Sequence, residues 1–167
     1  VIVPQAYAYN DAIAEPWYAP AGLNRGGLGG AIDTKYRLYK ADRNLLYQAR
    51  INPLVKSNNN GVSIWGQKTL QVADTALNRI NVRRLLITLK NFISNASNAF
   101  VFEQNTNNTQ IKLKGILNPF MENVKQKQGL YAYRIQVDDA NNTADVIDRN
   151  ELIVNIYVSP TKTIEFI

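Results

Sequence analysis

The sequence predicts an α+β fold in which a small, mostly antiparallel sheet packs against two or three helices. In the middle of the chain, apolar residues recur at three- and four-residue steps, as they do on one face of a helix. Near the end they alternate with polar residues, as in strands, and a short hairpin pattern precedes the long helices. Separate runs of helices and strands are typical of α+β folds. With 167 residues, the chain has the size of a single domain, which we expect to span residues 1–167.

Residues 1–36 are predicted to form an irregular segment that leads into the domain. Three prolines interrupt helical patterns there, and five glycines between positions 22 and 30 favour turns. The glycine cluster at 26–30 lacks the Gly-Lys-Ser/Thr ending of a phosphate-binding loop. It therefore predicts a flexible loop and no nucleotide site.

The first helix is expected over about residues 40–48, with Leu45 and Leu46 buried. It should end before Pro53, because a residue that precedes proline avoids helical backbone angles. Two short apolar runs on either side of an Asn-Gly turn, within residues 54–65, then predict a β-hairpin.

Two longer helices follow the hairpin. The first is expected to begin after Asn81, whose side chain can cap free N–H groups of the first turn. The second covers about residues 109–127, and Pro119 inside it should kink or divide it. Their apolar stripes are predicted to be buried, namely Val82, Leu85, Leu86, Leu89, Phe92, Ile93 and Ala96 in one helix and Leu113, Ile116, Leu117, Phe120, Met121 and Val124 in the other.

The last third of the chain predicts strands. Apolar residues alternate over 131–137 and again over 152–158, which indicates two strands with one face on the core. Residues 138–143 between them are rich in Asp and Asn, as turns are. The final apolar segment, 164–167, is interpreted as a strand cut off at its start. Since the chain also begins with Val1 rather than Met, we expect it to be a fragment of a longer protein.

The composition excludes most enzyme classes. The chain has no cysteine and no histidine, which removes disulfides, thiolate nucleophiles, histidine bases and the usual zinc ligands. A carboxylate hydrolase would remain, but the adjacent Asp138 and Asp139 should point to opposite faces of a strand end. We therefore predict no enzyme, no metal site and no cofactor. No run of 18 apolar residues occurs, so no membrane insertion is expected.

A basic helical face is the strongest charged feature. The net charge is +6, and helical spacing places Arg79, Arg83, Arg84 and Lys90 on one side of the first long helix. Such a face is either solvated or docks on an acidic protein surface. Nucleic-acid binding is the competing interpretation, although it would want accompanying aromatics or a recognised module.

Several segments, taken in order, carry a family resemblance. They lie at 19–22, 25–26, 46–53, 65–69, 79–85, 102–103, 105, 118–120, 138, 141–143, 147–148 and 164–167. As an ordered set spread over nearly the whole chain, they resemble the C-terminal domain of contractile tail sheath proteins from myovirus-type bacteriophages. A sheath of a related bacterial contractile injection system remains an alternative, as does a basic nucleic-acid-binding domain.

The resemblance implies a mechanical role. Sheath subunits form hexameric rings that stack in a helix around the tail tube, between a baseplate and a tail terminator. Contraction drives the tube through the host envelope for genome ejection. The implied location is the virion tail sheath, after assembly in the host cytoplasm, and no direct contact with nucleic acid is expected.

The resemblance also implies roles for two groups of residues. The C-terminal domain forms the inner, tube-facing layer, where neighbouring subunits exchange terminal strands, so Ile164, Glu165, Phe166 and Ile167 are expected subunit contacts. The basic face defined above is expected to meet the tube or a neighbouring subunit. In the family a further strand follows the segment that matches 164–167, so we expect this C-terminal fragment to be monomeric or weakly associated by itself.

Overall fold

The computed structural model describes residues 2–58 and 61–165, which form two compact units. Unit 1 contains the residues up to Leu86 and those from Lys162 onward, and unit 2 is Ile87–Thr161. Each unit combines helices with one two-stranded antiparallel sheet. The predicted α+β class is confirmed, with the described strands divided between two sheets. That the whole chain behaves as a single domain stays a prediction.

Unit 1 is built from short helices and one hairpin. Its elements are helix α1 (Val3–Ile13), helix α2 (Gly22–Arg25), helix α3 (Lys40–Gln48), strand β1 (Leu54–Ser57), strand β2 (Gly61–Ile64), a 3₁₀ turn (Ala76–Asn78) and the first turns of helix α4 (Ile80–Asn98).

Helix α1 corrects the prediction that residues 1–36 are irregular. Pro4 lies in its first turn, where the missing N–H has no intrahelical acceptor and the fixed φ suits a helix. The helix buries Ala6 and Asn10 completely. A proline in the first turn is therefore compatible with a helix and does not exclude one.

Helix α3 has the predicted bounds, but its apolar residues are not core. Leu45 is 67% exposed, Leu46 is half-buried, and no residue of α3 is fully buried. Ile51, which follows the helix, is 51% exposed. The helix lies on the surface of unit 1, so a pair of adjacent leucines was not enough to predict burial.

The predicted hairpin is confirmed as the pair β1–β2, in which Leu54 lies opposite Ile64. The glycine cluster extends this sheet, because Leu28 N–H donates to Val62 O at 2.9 Å and Ile64 N–H donates to Gly26 O at 2.8 Å. Leu28, Val62, Ile64 and Ala6 of α1 form the core of this part. The segment predicted to be a flexible loop is thus partly paired with β2.

Helix α4 begins two residues earlier than predicted. Ile80 is its first residue, so Asn81 lies inside the first turn and does not cap it. Asn81 is 5% exposed, and its Oδ1 has no hydrogen-bond partner. The helix start is instead fixed by backbone pairing, since Ile80 N–H donates to Gln67 O at 2.8 Å. Leu85 is 1% exposed, as predicted for a core residue.

Unit 2 contains the remainder of α4, helix α5 (Asn107–Gln126), strand β3 (Leu130–Gln136), helix α6 (Ala144–Asp148) and strand β4 (Asn155–Pro160). Helix α5 continues through Pro119 and is not divided. Its buried residues are Gln110, Leu113, Leu117, Met121 and Val124. Of the other two predicted core residues, Ile116 is 44% exposed, and Phe120 is half-buried and stacks on Phe92 with ring centroids 3.6 Å apart.

The two predicted late strands pair antiparallel as β3 and β4. Asn142, 2% exposed, holds the connection between them, because its Oδ1 accepts from Ile153 N–H at 2.7 Å and its Nδ2 donates to Ile153 O at 3.0 Å. Asp138 is exposed and its carboxylate accepts from Ala140 N–H at 3.1 Å. It is a turn residue, as its sequence context predicts.

Candidate functional site

Glu165 is the centre of a polar cluster in unit 1. Its carboxylate accepts two hydrogen bonds from Arg79, from Nε at 2.6 Å and from Nη2 at 2.9 Å. The Tyr47 hydroxyl donates to the same carboxylate, and Gln67 Nε2 lies 3.4 Å from it. We call Tyr47, Gln67, Arg79 and Glu165 the Glu165 clamp. It attaches the C-terminal segment of the chain to the body of unit 1.

Backbone pairing positions two of the clamp residues. Lys68 and Arg79 form an antiparallel bridge, and Thr69 N–H donates to Asn78 O at 3.0 Å beside it. Gln67 and Arg79 are therefore held on neighbouring extended segments before α4 begins. Gln67 Nε2 also donates to the Thr163 hydroxyl, which adds a second attachment for the C-terminal segment.

Asn52 ties the end of α3 to this pair of segments. Its side-chain amide accepts from Lys68 N–H at 2.8 Å and donates to Lys68 O at 2.9 Å, as a neighbouring strand would. Gly66 makes room for this contact, because a Cβ there would lie 2.8 Å from Asn52 Oδ1. Tyr47, in the last turn of α3, is thereby held at a fixed position relative to Gln67.

The environment of the clamp favours one protonation state. Burial, and then the hydrogen bond to Glu165, raises the pKa of Tyr47 above its usual value, so the hydroxyl remains a donor. Burial opposes the charged form of Arg79, but its hydrogen bonds to Glu165 outweigh this and raise its pKa. Burial and the nearby Arg79 lower the pKa of Lys68, whose Nζ lies 3.7 Å from the Tyr47 ring centroid.

A cleft of about 400 Å³ lies beside the clamp. Its cations already have partners within the fold, since Arg50 Nη2 donates to Val72 O at 2.6 Å and Lys68 Nζ donates to Tyr47 O at 2.9 Å. In the described ranges, no group of three His, Cys, Asp or Glu side chains could hold a metal ion. The lining is Tyr47, Arg50, Lys68, Thr69, Val72, Asp74, Asn78 and Arg79.

The structure separates the four residues of the predicted basic face. Arg79 belongs to the clamp, and Arg84 pairs with Asp11 and lies over the Tyr7 ring at 5.4 Å. Arg83 and Lys90 are exposed on α4. Their expected contact with a tube or a neighbour stays a prediction, and only these two are open to solvent.

The residues of the predicted subunit contact also differ in their surroundings. Ile164 is 84% exposed, whereas Glu165 is bound by its own chain. Neither residue belongs to a strand. Phe166 and Ile167 lie outside the described residues.

Sequence reasoning chose three segments, at 46–53, 79–85 and 164–167, without predicting that they meet. It missed Tyr47, Gln67 and Asn52 as site residues. Gly66 beside Gln67 was the available signal, because a glycine in an extended segment often marks a place where another backbone approaches closely.

Comparison with known sequences gives a consistent result. The phage tail sheath C-terminal domain family matches residues 72–167. The chain is 41% identical to the tail sheath protein of Vibrio phage KVP40 and 35% identical to that of Enterobacteria phage T4. Both alignments cover 96% of this chain and 24% of the relative, so the chain spans about a quarter of their length.

Solved structures are similar over the whole fold. A chain of the anti-feeding prophage baseplate gives a TM-score of 0.88 at 24% identity, covering 99% of this chain and 47% of that one. A chain of an extracellular contractile injection system, the PVC sheath complex in its contracted state, also gives 0.88, at 25% identity and covering 97% and 47%. These likenesses extend across both units of the fold.

Proposed function

The chain belongs to the phage tail sheath C-terminal domain family, and from this we propose that it forms the tube-facing part of a sheath subunit whose contraction drives a tail tube through the host envelope. The family is structural and is not known for catalysis. The phage assignment is favoured over a bacterial injection system because the curated relatives are phage tail sheath proteins.

The Glu165 clamp is the observation that carries the proposal. A contracting polymer transmits force through the links between its subunits, and each link must be anchored in the body of its own subunit. Charge-assisted hydrogen bonds are the stronger kind, at roughly 1.5–3 kcal/mol each. Two of them, together with the Tyr47 hydroxyl, fix the chain at Glu165. Residues beyond it can then be donated to a neighbour as an added strand.

The second part of the proposal is that Arg83 and Lys90 face the tube. It is supported by the exposure of these two residues, whereas the other two residues of the basic face are in ion pairs within the fold. Both are exposed, and exposed charges give contacts that weaken with salt and need no interlocking shape. Such contacts suit a surface along which a tube has to slide. Nucleic-acid binding is disfavoured by comparison, because Arg79 and Arg84 are used in internal ion pairs.

In the proposed assembly, six copies form each ring, rings stack on a baseplate and end at a tail terminator, and the sheath is assembled in the host cytoplasm before it becomes part of the virion. Sheath proteins assemble as helical oligomers. These 167 residues by themselves are expected to sediment as a monomer or as a weakly associated species. A stable hexamer of the chain alone would contradict that part of the proposal.

Electron microscopy of the full natural protein tests the function. We expect tubular sheaths, with the tube protein or without it. Glu165→Gln should reduce their number, and Glu151→Gln, the same change at a carboxylate that is more than half exposed, should leave self-assembly unchanged. Absence of tubes from the unaltered protein, under conditions in which it is folded, would overturn the proposed function.

A further inference from the structure

Four non-glycine residues in the described ranges have positive φ, namely Arg50, Phe102, Gln128 and Asn150. Three of them end helices. After α3, for example, Ile51 N–H donates to Leu46 O at 2.9 Å and Arg50 N–H donates to Tyr47 O at 3.1 Å, which is the Schellman pattern. The same pair of bonds occurs at Gln128 after α5 and at Asn150 after α6.

Phe102, with φ of 72°, has no such explanation. It lies in a turn of residues 100–103 that is closed by Glu103 N–H donating to Phe100 O at 3.1 Å. Turns with positive φ at this third position favour Gly or Asn, and a bulky residue there is an outlier. The Phe102 side chain is also 100% exposed, and Val101 beside it is 57% exposed. The chain thus holds an aromatic ring in solvent on an unfavourable backbone.

The turn is fixed on both sides. Phe100 N–H donates to Ser97 O at 2.9 Å at the end of α4. After the turn, the Thr109 hydroxyl donates to Gln104 O at 2.7 Å, and Asn105 Nδ2 donates to Glu151 O at 2.8 Å. A ring presented by a fixed turn loses little further freedom when it binds, which favours its use as an anchor.

We propose that Phe102 is an apolar knob that inserts into a second copy of the sheath subunit. Exposed aromatic anchors of this kind dominate the binding energy of many interfaces, and backbone strain that the fold does not need concentrates at functional positions.

A second copy is the occupant that the proposed function favours, because sheath proteins assemble as helical oligomers. Each chain carries +6, so two copies repel each other overall, and a contact between them has to gain from apolar burial. An acidic partner could be bound by the exposed cations of α4 without an aromatic knob. The inference rests on the proposed function, in which every subunit is surrounded by identical ones.

Photocrosslinking identifies the occupant. The photoreactive p-benzoyl-phenylalanine at position 102 retains an aromatic side chain there, and it is irradiated in sheaths assembled from the full natural protein with its tube protein. We expect crosslinks between two sheath subunits, located by mass spectrometry. Crosslinks to the tube protein, crosslinks only within one subunit, or none above those from the same group at exposed Ile111, would overturn the proposal.

Assembly measurements give a second test. Phe102→Asn should preserve the turn, because Asn tolerates positive φ, while raising the protein concentration needed for tube formation by at least about tenfold, equivalent to one anchor contact. Phe102→Tyr should retain assembly. Gln128→Asn, at another positive-φ position, and Ile111→Gln, at another exposed apolar position, are matched controls and should assemble normally. If the unaltered protein forms tubes and Phe102→Asn forms them equally well, Phe102 is not an anchor between subunits, and the proposed function is unaffected.

Discussion

Arg79 binds the Glu165 carboxylate through two N–H donors, at 2.6 and 2.9 Å, although the residues lie 86 positions apart in the sequence. Their side chains are 25% and 16% exposed. Bidentate arginine–carboxylate pairs of this geometry are stronger and more directional than surface ion pairs. The contact joins the residue that precedes α4 to the last described residue of the chain.

Glu165→Gln is expected to lower the free energy of unfolding by about 1–3 kcal/mol, because a neutral amide replaces the charged acceptor of two hydrogen bonds. Urea unfolding followed by circular dichroism measures the change. Glu151→Gln is the matched control, since Glu151 pairs with Arg149 while both side chains are more than half exposed. It should change stability by less than about 0.5 kcal/mol. Equal effects of the two changes would show that the clamp is no stronger than a surface pair.

Tyr47→Phe removes one donor to Glu165 and should cost about 1 kcal/mol. Its effect should also depend on pH. Because burial and the Glu165 hydrogen bond raise the folded-state pKa of Tyr47 above its usual value of 10.0, the stabilisation by the protonated hydroxyl is complete below pH 10 and declines as pH rises above it. The difference in unfolding free energy between the unaltered protein and Tyr47→Phe should therefore shrink above pH 10.

Tyr157→Phe, at a tyrosine that is 55% exposed, serves as the control for alkaline unfolding. A difference between the unaltered protein and Tyr47→Phe that stays constant from pH 7 to pH 11 would contradict the role assigned to the Tyr47 hydroxyl.

Gly66→Ala and Gly115→Ala should change stability in opposite directions. A Cβ at position 66 would lie 2.8 Å from Asn52 Oδ1 and disturb the amide that brackets Lys68, at a cost of about 1–3 kcal/mol. A Cβ at position 115, inside α5, would meet nothing within 4 Å, so alanine there should stabilise by roughly 0.5–1 kcal/mol. Thermal unfolding of the two variants measures whether each change raises or lowers stability. Stabilisation by Gly66→Ala would contradict the close approach of Gly66 to Asn52.

Local patterns predicted the elements whose cause is local. The Asn-Gly pair in the sequence predicts the hairpin, and the three- and four-residue periodicity predicts α5, including Leu113 and Leu117 as core residues. The site could not be predicted in this way, because Tyr47 and Glu165 lie 118 positions apart and their contact leaves no periodic signal. The family resemblance includes the segments that contain Tyr47, Arg79 and Glu165, but it does not predict that these residues are in contact.

The failures have a related cause. The residue type of Asn81 predicts a helix cap, whereas pairing of Ile80 with Gln67 determines where α4 begins. Helical spacing predicts an exposed face that includes Arg79 and Arg84, but acidic residues from distant positions, Glu165 and Asp11, bind them. Helical spacing predicts which residues share one face of a helix, but it does not predict which residues from elsewhere in the chain cover that face.

The two kinds of arginine before and within α4 should respond differently to charge reversal. Arg79→Glu places a second carboxylate against Glu165, and we expect it to destabilise unit 1 by at least about 2 kcal/mol because like charges meet in a partly buried site. Arg83→Glu changes an exposed residue and should alter the free energy of unfolding by less than about 0.5 kcal/mol.

Binding to the tube tests the role proposed for the exposed residues Arg83 and Lys90. Cosedimentation of sheath protein with preformed tubes, at salt concentrations from about 0.05 to 0.5 M, should show weaker binding for Arg83→Glu combined with Lys90→Glu, and the deficit should shrink as salt screens the contact. Lys112→Glu, at an exposed lysine of α5, removes the same kind of charge and should bind as the unaltered protein does. If the double variant binds tubes normally at low salt, Arg83 and Lys90 do not face the tube, and the sheath must hold it by other residues.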